Sequence, residues 1–244
     1  MEKVHTAVDA VIVLCGHGSR DPRFKMDFLK FAKSIELCFK SRKTYFCFIE
    51  KNNPSIEEML DITTKNYENI IFVPSLLFRG NHFDLDIKKK IDPYNKKKNI
   101  YITENIDIKK YLIKIYKEII KPKIIKSKTN ILINVASSSS NSNIVKSLSI
   151  YSKKLSNELG LKKYFFCLLG NENKLFKNLS KIYDNDTNII LHPIFLFNGY
   201  LYNNIISKFQ MRYSNLQFTR PISHEPKTKE IFKDLINSKL KFFN

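Results

Sequence analysis

The sequence predicts an α/β protein of two tandem domains, each a parallel sheet flanked by helices, the pair related by pseudo-two-fold symmetry. Three observations lead there. Apolar runs of strand length alternate with longer stretches of helical periodicity. The pattern stops at a polar segment, KPKIIKSKT (121–129), and then starts again. The second series repeats the first at a nearly constant offset. Expected domains are therefore 1–121 and 130–244.

In chain order, the first strand is expected over Ala10–Cys15, followed by a helix over Met26–Glu36, which Asp21 and Pro22 would start. Thr44–Ile49 reads as the second strand. Ile56–Tyr67 reads as a helix, with Ser55 as its cap and Glu57 and Glu58 favourable in the first turn. Strands at Asn69–Pro74 and Asn99–Thr103 and a helix from about Asp107 to Ile120 complete the first series. Pro122 ends that helix and opens the linker. ILINVASSSS (131–140), FFCLLG (165–170) and NIILHPIFLFNGYLYNNI (188–205) then resume the pattern.

Composition sets the bounds. A chain of 244 residues, 43% hydrophobic, can bury a sizeable core. Its four cysteines form no CxxC pair, and three sit in apolar runs, which suits free thiols in a reducing compartment. The N-terminus MEKVHTAVDA lacks the apolar core of a signal peptide, and no window approaches eighteen uninterrupted apolar residues, so a cytoplasmic protein with no membrane partner is expected. The net charge of +19 suits a polyanionic partner. Lysine is abundant everywhere, however, and no arginine-rich arm, finger spacing or aromatic RNA signature points to nucleic acid.

The repeat separates fold from chemistry. Pro193 matches Pro74 and Gly199 matches Gly80, both at an offset of 119, while YFCFIE aligns with YFFCLLG at nearly the same distance. Three ionisable positions differ between the halves. His17 faces Ser137, Glu50 faces Gly170 and His82 faces Leu201, each at or just beyond the carboxyl end of an expected strand. Ligands bind at that edge of an open α/β sheet. Two histidines and a glutamate at neighbouring strand ends point to a site rather than to three unrelated core residues.

Three segments carry a family resemblance: GHGSRDP (16–22), FIEKNNPSIEE (48–58) and VPSLLFRGNHFDLDI (73–87). In their order and spacing the chain resembles the class II tetrapyrrole chelatases, the sirohydrochlorin cobaltochelatases and ferrochelatases, in their long two-domain form. The resemblance implies two chelatase-like, flavodoxin-like domains. The first would carry the site, and the second would be degenerate and complete the cleft. It implies His17 and His82 as metal-holding and catalytic residues with Glu50 beside them, and Gly16, Gly18, Ser19, Arg20, Arg79 and Gly80 as substrate contacts. It also implies cobalt or iron as a substrate rather than a resident cofactor, and a monomer that is an internal pseudo-dimer.

The chemistry suits these residue types. Metal insertion needs an ion held weakly, two pyrrole protons removed and the product released. Neutral imidazole is a good ligand for first-row divalent metals, and two histidines leave positions open for macrocycle nitrogens. Glu50 would complete the metal site or act as base, and a histidine away from the metal would accept a proton. Gly16 and Gly18 allow a sharp turn and a close approach by a flat ligand. Sirohydrochlorin has eight carboxylates, and Arg20, Arg23 and Arg79 are the nearest cations in sequence, with surface pairing as their bland role. Ser19 would bind a carboxylate or cap the following helix, and the SSSS run (137–140) would bind an anion or be a relic of the first turn.

Two other functions stay open. A histidine phosphatase would also place His-Gly after its first strand, but normally with arginine where Gly16 stands. A tetrapyrrole or metal carrier would use the same cleft without turnover. His192 and His224 are expected to be structural and His5 to lie in a disordered end. The metal, and with it the siroheme or cobalamin branch, is not legible in these residues.

Overall fold

The computed structural model describes residues 10–77, 82–95, 98–104, 106, 111–139 and 141–243, with residues 82–84 as backbone only. The first sheet is built from β1 (Ala10–Gly16), β2 (Thr44–Phe48), β3 (Asn69–Pro74) and β4 (Asn99–Ile102). All are parallel, in the order β2-β1-β3-β4. Around them lie α1 (Pro22–Glu36), α2 (Ile56–Asn66) and a π-helical segment, His82–Lys88, that runs into α3 (Lys89–Asn95). Next come α4 (Ile113–Ile120), β5 (Thr129–Ala136), α5 (Ser142–Glu158), β6 (Lys163–Leu168), α6 (Glu172–Leu179), β7 (Thr187–Pro193), α7 (Tyr200–Gln210), β8 (Leu216–Phe218) and α8 (Pro226–Leu240). The second sheet is also parallel and runs β6-β5-β7-β8.

The unbroken apolar run of β1 follows from this layering. A central parallel strand is covered on both faces, so side chains at both parities must be buried. Val11, Val13 and Cys15 join Ile56 and Leu60 of α2 and Ile91 of α3 in one core cluster. Ile12 and Leu14, of the opposite parity, are fully buried too. Beyond that layer α1 meets α8, with the rings of Phe31 and Phe232 4.9 Å apart and edge to face. In the second sheet Ile131, Ile133 and Val135 of β5 pack with Leu175 of α6 and Ile205 of α7.

Local signals account for the helix starts. Ser55 caps α2 in a capping box: its hydroxyl accepts from the Glu58 amide, and the Glu58 carboxylate accepts from the Ser55 amide. Such a cap contributes about 1 kcal/mol. At α1 the cap is Asp21, which accepts from the Arg23 amide, and Pro22 takes the first helical position. Hydrogen bonds from the Arg23 side chain hold the Asp21 carboxyl below the usual carboxylate range.

The internal repeat is visible in sheet register. Cys15 pairs with Cys47 on one side and Pro74 on the other, and Val135 pairs with Cys167 and Pro193 in the same way. The compact units of the structure are divided differently from the expected 1–121 and 130–244. One compact unit contains Met1–Ile106 together with Pro226–Asn244, and the other contains Asp107–Glu225. The helix that follows each fourth strand therefore belongs to the other strand series. Periodicity identifies such a helix but not the sheet it covers. α4 begins at Ile113, directly after the π-helical Tyr111 and Leu112, and the expected start at 107–110 lies outside the described residues. Among the described residues no helix is long and apolar enough to cross a membrane.

Candidate functional site

β1 and β2 end side by side, with Gly16 paired to Phe48. The ladder continues one step past both strands, because Ile49 donates to the Gly16 carbonyl at 2.9 Å and Glu50 to the His17 carbonyl at 3.0 Å. This brings the first two predicted site residues together. His17 Nδ1 lies 3.7 Å from Glu50 Oε1, with the side chains 35% and 40% exposed, and 3.2 Å from the Gly18 carbonyl oxygen. An imidazole and a carboxylate thus share a solvent-reached edge of a parallel sheet, where Lewis-basic groups can meet a ligand.

The glycines around His17 have different causes. Gly16 sits close under a ring, since a Cβ there would lie 3.1 Å from Phe28, which would have to give by a few tenths of an ångström. Gly18 has φ +97°, and a Cβ would stand 1.7 Å from the Glu50 carbonyl oxygen. The turn after β1 is thus pressed against the chain that carries Glu50. Asn52 fastens the two, its Oδ1 accepting from the Ser19 amide at 2.7 Å. Sequence reasoning did not single out Asn52. Its only mark was its place in the FIEKNNP segment, two residues past the glutamate.

The other predicted contacts divide. The Ser19 hydroxyl accepts from the Asp21 amide at 3.1 Å, so it shapes the turn into α1, while Asp21 rather than Ser19 is the cap. Arg20 is exposed beside it. Arg23 donates to the Asp21 carboxylate, the bland role foreseen for it. Arg79 and Gly80 lie outside the described residues. His82 begins the π-helical segment, but its side chain also lies outside the description. Among the described residues no group of three or more histidines, cysteines and carboxylates is placed to hold a metal ion.

The corresponding edge of the second unit keeps the framework without these groups. Leu169 donates to the Ala136 carbonyl as Ile49 does to Gly16, but Ser137 and Gly170 follow where His17 and Glu50 stand. The turn is otherwise alike, since the Asn141 amide donates to Ser139 as Asp21 does to Ser19. His192, on β7, is wholly buried. Its Nε2 lies 2.9 Å from the Tyr151 hydroxyl and its Nδ1 2.8 Å from the Thr219 hydroxyl, and the Tyr116 ring centroid is 4.0 Å away. Both ring nitrogens are engaged, and burial pushes its pKa down to about 3. It is a neutral core histidine. His224 sits exposed in a short 3-10 turn, Ile222–His224, and His5 lies outside the described residues.

Comparisons with known proteins bear on the same region. The CbiX family model matches residues 11–122. A sirohydrochlorin cobaltochelatase of Saccharolobus solfataricus is 32% identical over 99 residues, which are 40% of this chain and 76% of that protein. Among solved structures, SirB from Bacillus subtilis with Fe3+ superposes with a TM-score of 0.79 at 20% identity, over 95% of this chain and 96% of that one. SirB from Bacillus subtilis subspecies spizizenii in complex with cobalt gives 0.75 at 20% identity, over 96% of each chain. At that identity the structural likeness speaks for the fold, which is the two-domain α/β arrangement of chelatases.

Proposed function

Since the chain belongs to the CbiX family, we propose that it is a sirohydrochlorin chelatase, exchanging two pyrrole protons of the macrocycle for one divalent metal ion. The observation that carries the reading is the His17–Glu50 pair, 3.7 Å apart at the carboxyl edge of the first sheet, within the residues that match the family model. The second unit holds serine and glycine at the corresponding places. One chain therefore provides one site, in the unit that contains β1 and β2, and the chain acts as a monomer.

The chemistry follows from the donors. The metal is a substrate, so its ligands must hold it and release it. A neutral imidazole from His17 with a carboxylate oxygen from Glu50 meets that need and leaves positions for incoming nitrogens. His82 is the further ligand that the family pattern supplies. As each pyrrole nitrogen bonds to the ion its proton must depart, and a carboxylate or imidazole at the edge accepts it and passes it to solvent. The macrocycle loses two protons as the dication enters, so charge balances. Gly16 and Gly18 let the turn pack against the Phe28 ring and the Glu50 carbonyl, which sets His17 beside Glu50.

Anaerobic insertion of Co2+ and Fe2+ into sirohydrochlorin, followed by the change in absorption, tests the proposal. Acceleration over the uncatalysed rate is expected with at least one ion, and the ratio of the two rates assigns the metal. Binding of sirohydrochlorin without acceleration would make the chain a carrier and overturn the enzymatic reading.

A further inference from the structure

Lys51 has no role in the chemistry above, yet its position is unusual. It has φ 64°, and among the described residues it is the only one other than glycine in the left-handed region. A residue with a Cβ gives up about 1 kcal/mol or more there, and glycine or asparagine is the ordinary occupant. Asparagine stands at both 52 and 53, so the loop has better-suited residues at hand and still sets lysine in the strained position.

The backbone around Lys51 is pinned from both sides. Asn52 donates to the Glu50 carbonyl at 2.8 Å, Phe48 to the Pro54 carbonyl at 2.9 Å, and Ser19 to Asn52 Oδ1. Lys51 cannot relax without loosening the segment that carries Glu50. Its ammonium lies 3.3 Å from Glu50 Oε2, while the other oxygen of that carboxylate faces His17. The pair is 41% and 40% exposed, and an ion pair so exposed contributes at most about 1 kcal/mol. That no more than offsets the strain. Fold stability does not explain a lysine here, whereas a ligand would.

We propose that Lys51 is a substrate-recognising cation that changes partner. In this structure it pairs with Glu50 Oε2. When the macrocycle binds, Lys51 turns to one of its side-chain carboxylates and leaves that oxygen for the metal or a pyrrole proton. The exchange is one carboxylate for another, so no charge is stranded and no covalent bond changes. The inference rests on the chelatase reading and adds an order of events to it. Before substrate arrives, an ammonium on Glu50 opposes a second cation at the same carboxylate. Afterwards that opposition is gone.

Lys51→Gly removes the cation and relieves the backbone together, and Lys51→Arg keeps the charge. In the 244-residue chain, sirohydrochlorin binding is measured by absorption without metal, and Co2+ binding by calorimetry without sirohydrochlorin. Lys51→Gly is expected to weaken sirohydrochlorin roughly tenfold, the scale of one charge pair, and to tighten Co2+. Lys51→Arg should restore sirohydrochlorin binding to within a few fold. Opposite signs for the two ligands separate this role from a structural one, in which both weaken together. Unchanged sirohydrochlorin affinity in Lys51→Gly, or weakening of both ligands, overturns the proposal. A wild-type chain that does not bind sirohydrochlorin overturns the chelatase reading itself, and shows it before any substitution is made.

Discussion

Replacing Gly18 with alanine tests how tightly the two site-bearing segments are joined. At φ +97° an alanine is strained by about 1–2 kcal/mol. Its methyl would also stand 1.7 Å from the Glu50 carbonyl oxygen. That oxygen would have to recede by about 1.7 Å to reach an ordinary carbon–oxygen contact. The Glu50 amide bond to His17, the Asn52 amide bond to Glu50 and the Ser19 bond to Asn52 all depend on its present place. Losing two of these at about 1 kcal/mol each brings the total to roughly 3–4 kcal/mol. Gly170 is the control: its φ is +96°, but nothing lies within 4 Å of an added Cβ, so only strain remains, about 1–2 kcal/mol. Urea unfolding of both variants should put Gly18→Ala about 2 kcal/mol below Gly170→Ala. Metal insertion should fall with Gly18→Ala, because His17 and Glu50 are driven apart. Equal stability of the two variants, with full turnover in Gly18→Ala, would refute the reasoning.

The remaining predictions follow from the same geometry. Glu50→Gln, which keeps the shape but removes the charge, should lower insertion by about 100-fold or more, while circular dichroism stays as in the wild type; wild-type turnover would remove Glu50 from the chemistry. His192 gives a signed pH dependence: its folded pKa of about 3 lies below the unfolded value near 6.5, so only the unfolded chain takes up this proton between those limits. Stability from this group is complete above about pH 6.5 and falls on acidification, by about 2 kcal/mol between pH 7 and pH 5. The acid slope of urea stability should be shallower in His192→Gln by that amount, and an unchanged slope would contradict the assignment. Cobalt titration of the intact chain should show one saturable site, lost in His17→Ala and retained in His192→Gln; two equivalent sites would reverse the division between the units.

Much of the fold was legible because its signals are local. VIVLC and NIIFVP read as strands since a covered parallel strand has no polar face to interrupt the run, and Ser55 with Glu58 announced α2 through a cap that needs only four residues. Other elements had weak local signals. α3, with Pro93 inside it, and the three-residue β8 escaped notice, and β2 stops at Phe48 rather than Ile49. The assignment of α8 to the first unit depends on contacts such as Phe31 with Phe232, which no periodicity reveals. At the site, the repeat marked His17 and Glu50 because chemistry differs between the halves while register does not. It could not show Asn52 as the fastening, nor Lys51 in the left-handed region, because those roles arise only when the loop after β2 folds against the turn after β1.

The central claim is that one unit of this chain carries the chemistry and the other keeps only the framework. It is tested most directly by anaerobic cobalt insertion into sirohydrochlorin with the wild type, His17→Ala and Ser137→Ala measured side by side. The account predicts a loss of about 100-fold or more for His17→Ala and a rate near wild type for Ser137→Ala. A wild-type rate in His17→Ala, or an equal loss in both variants, would contradict it.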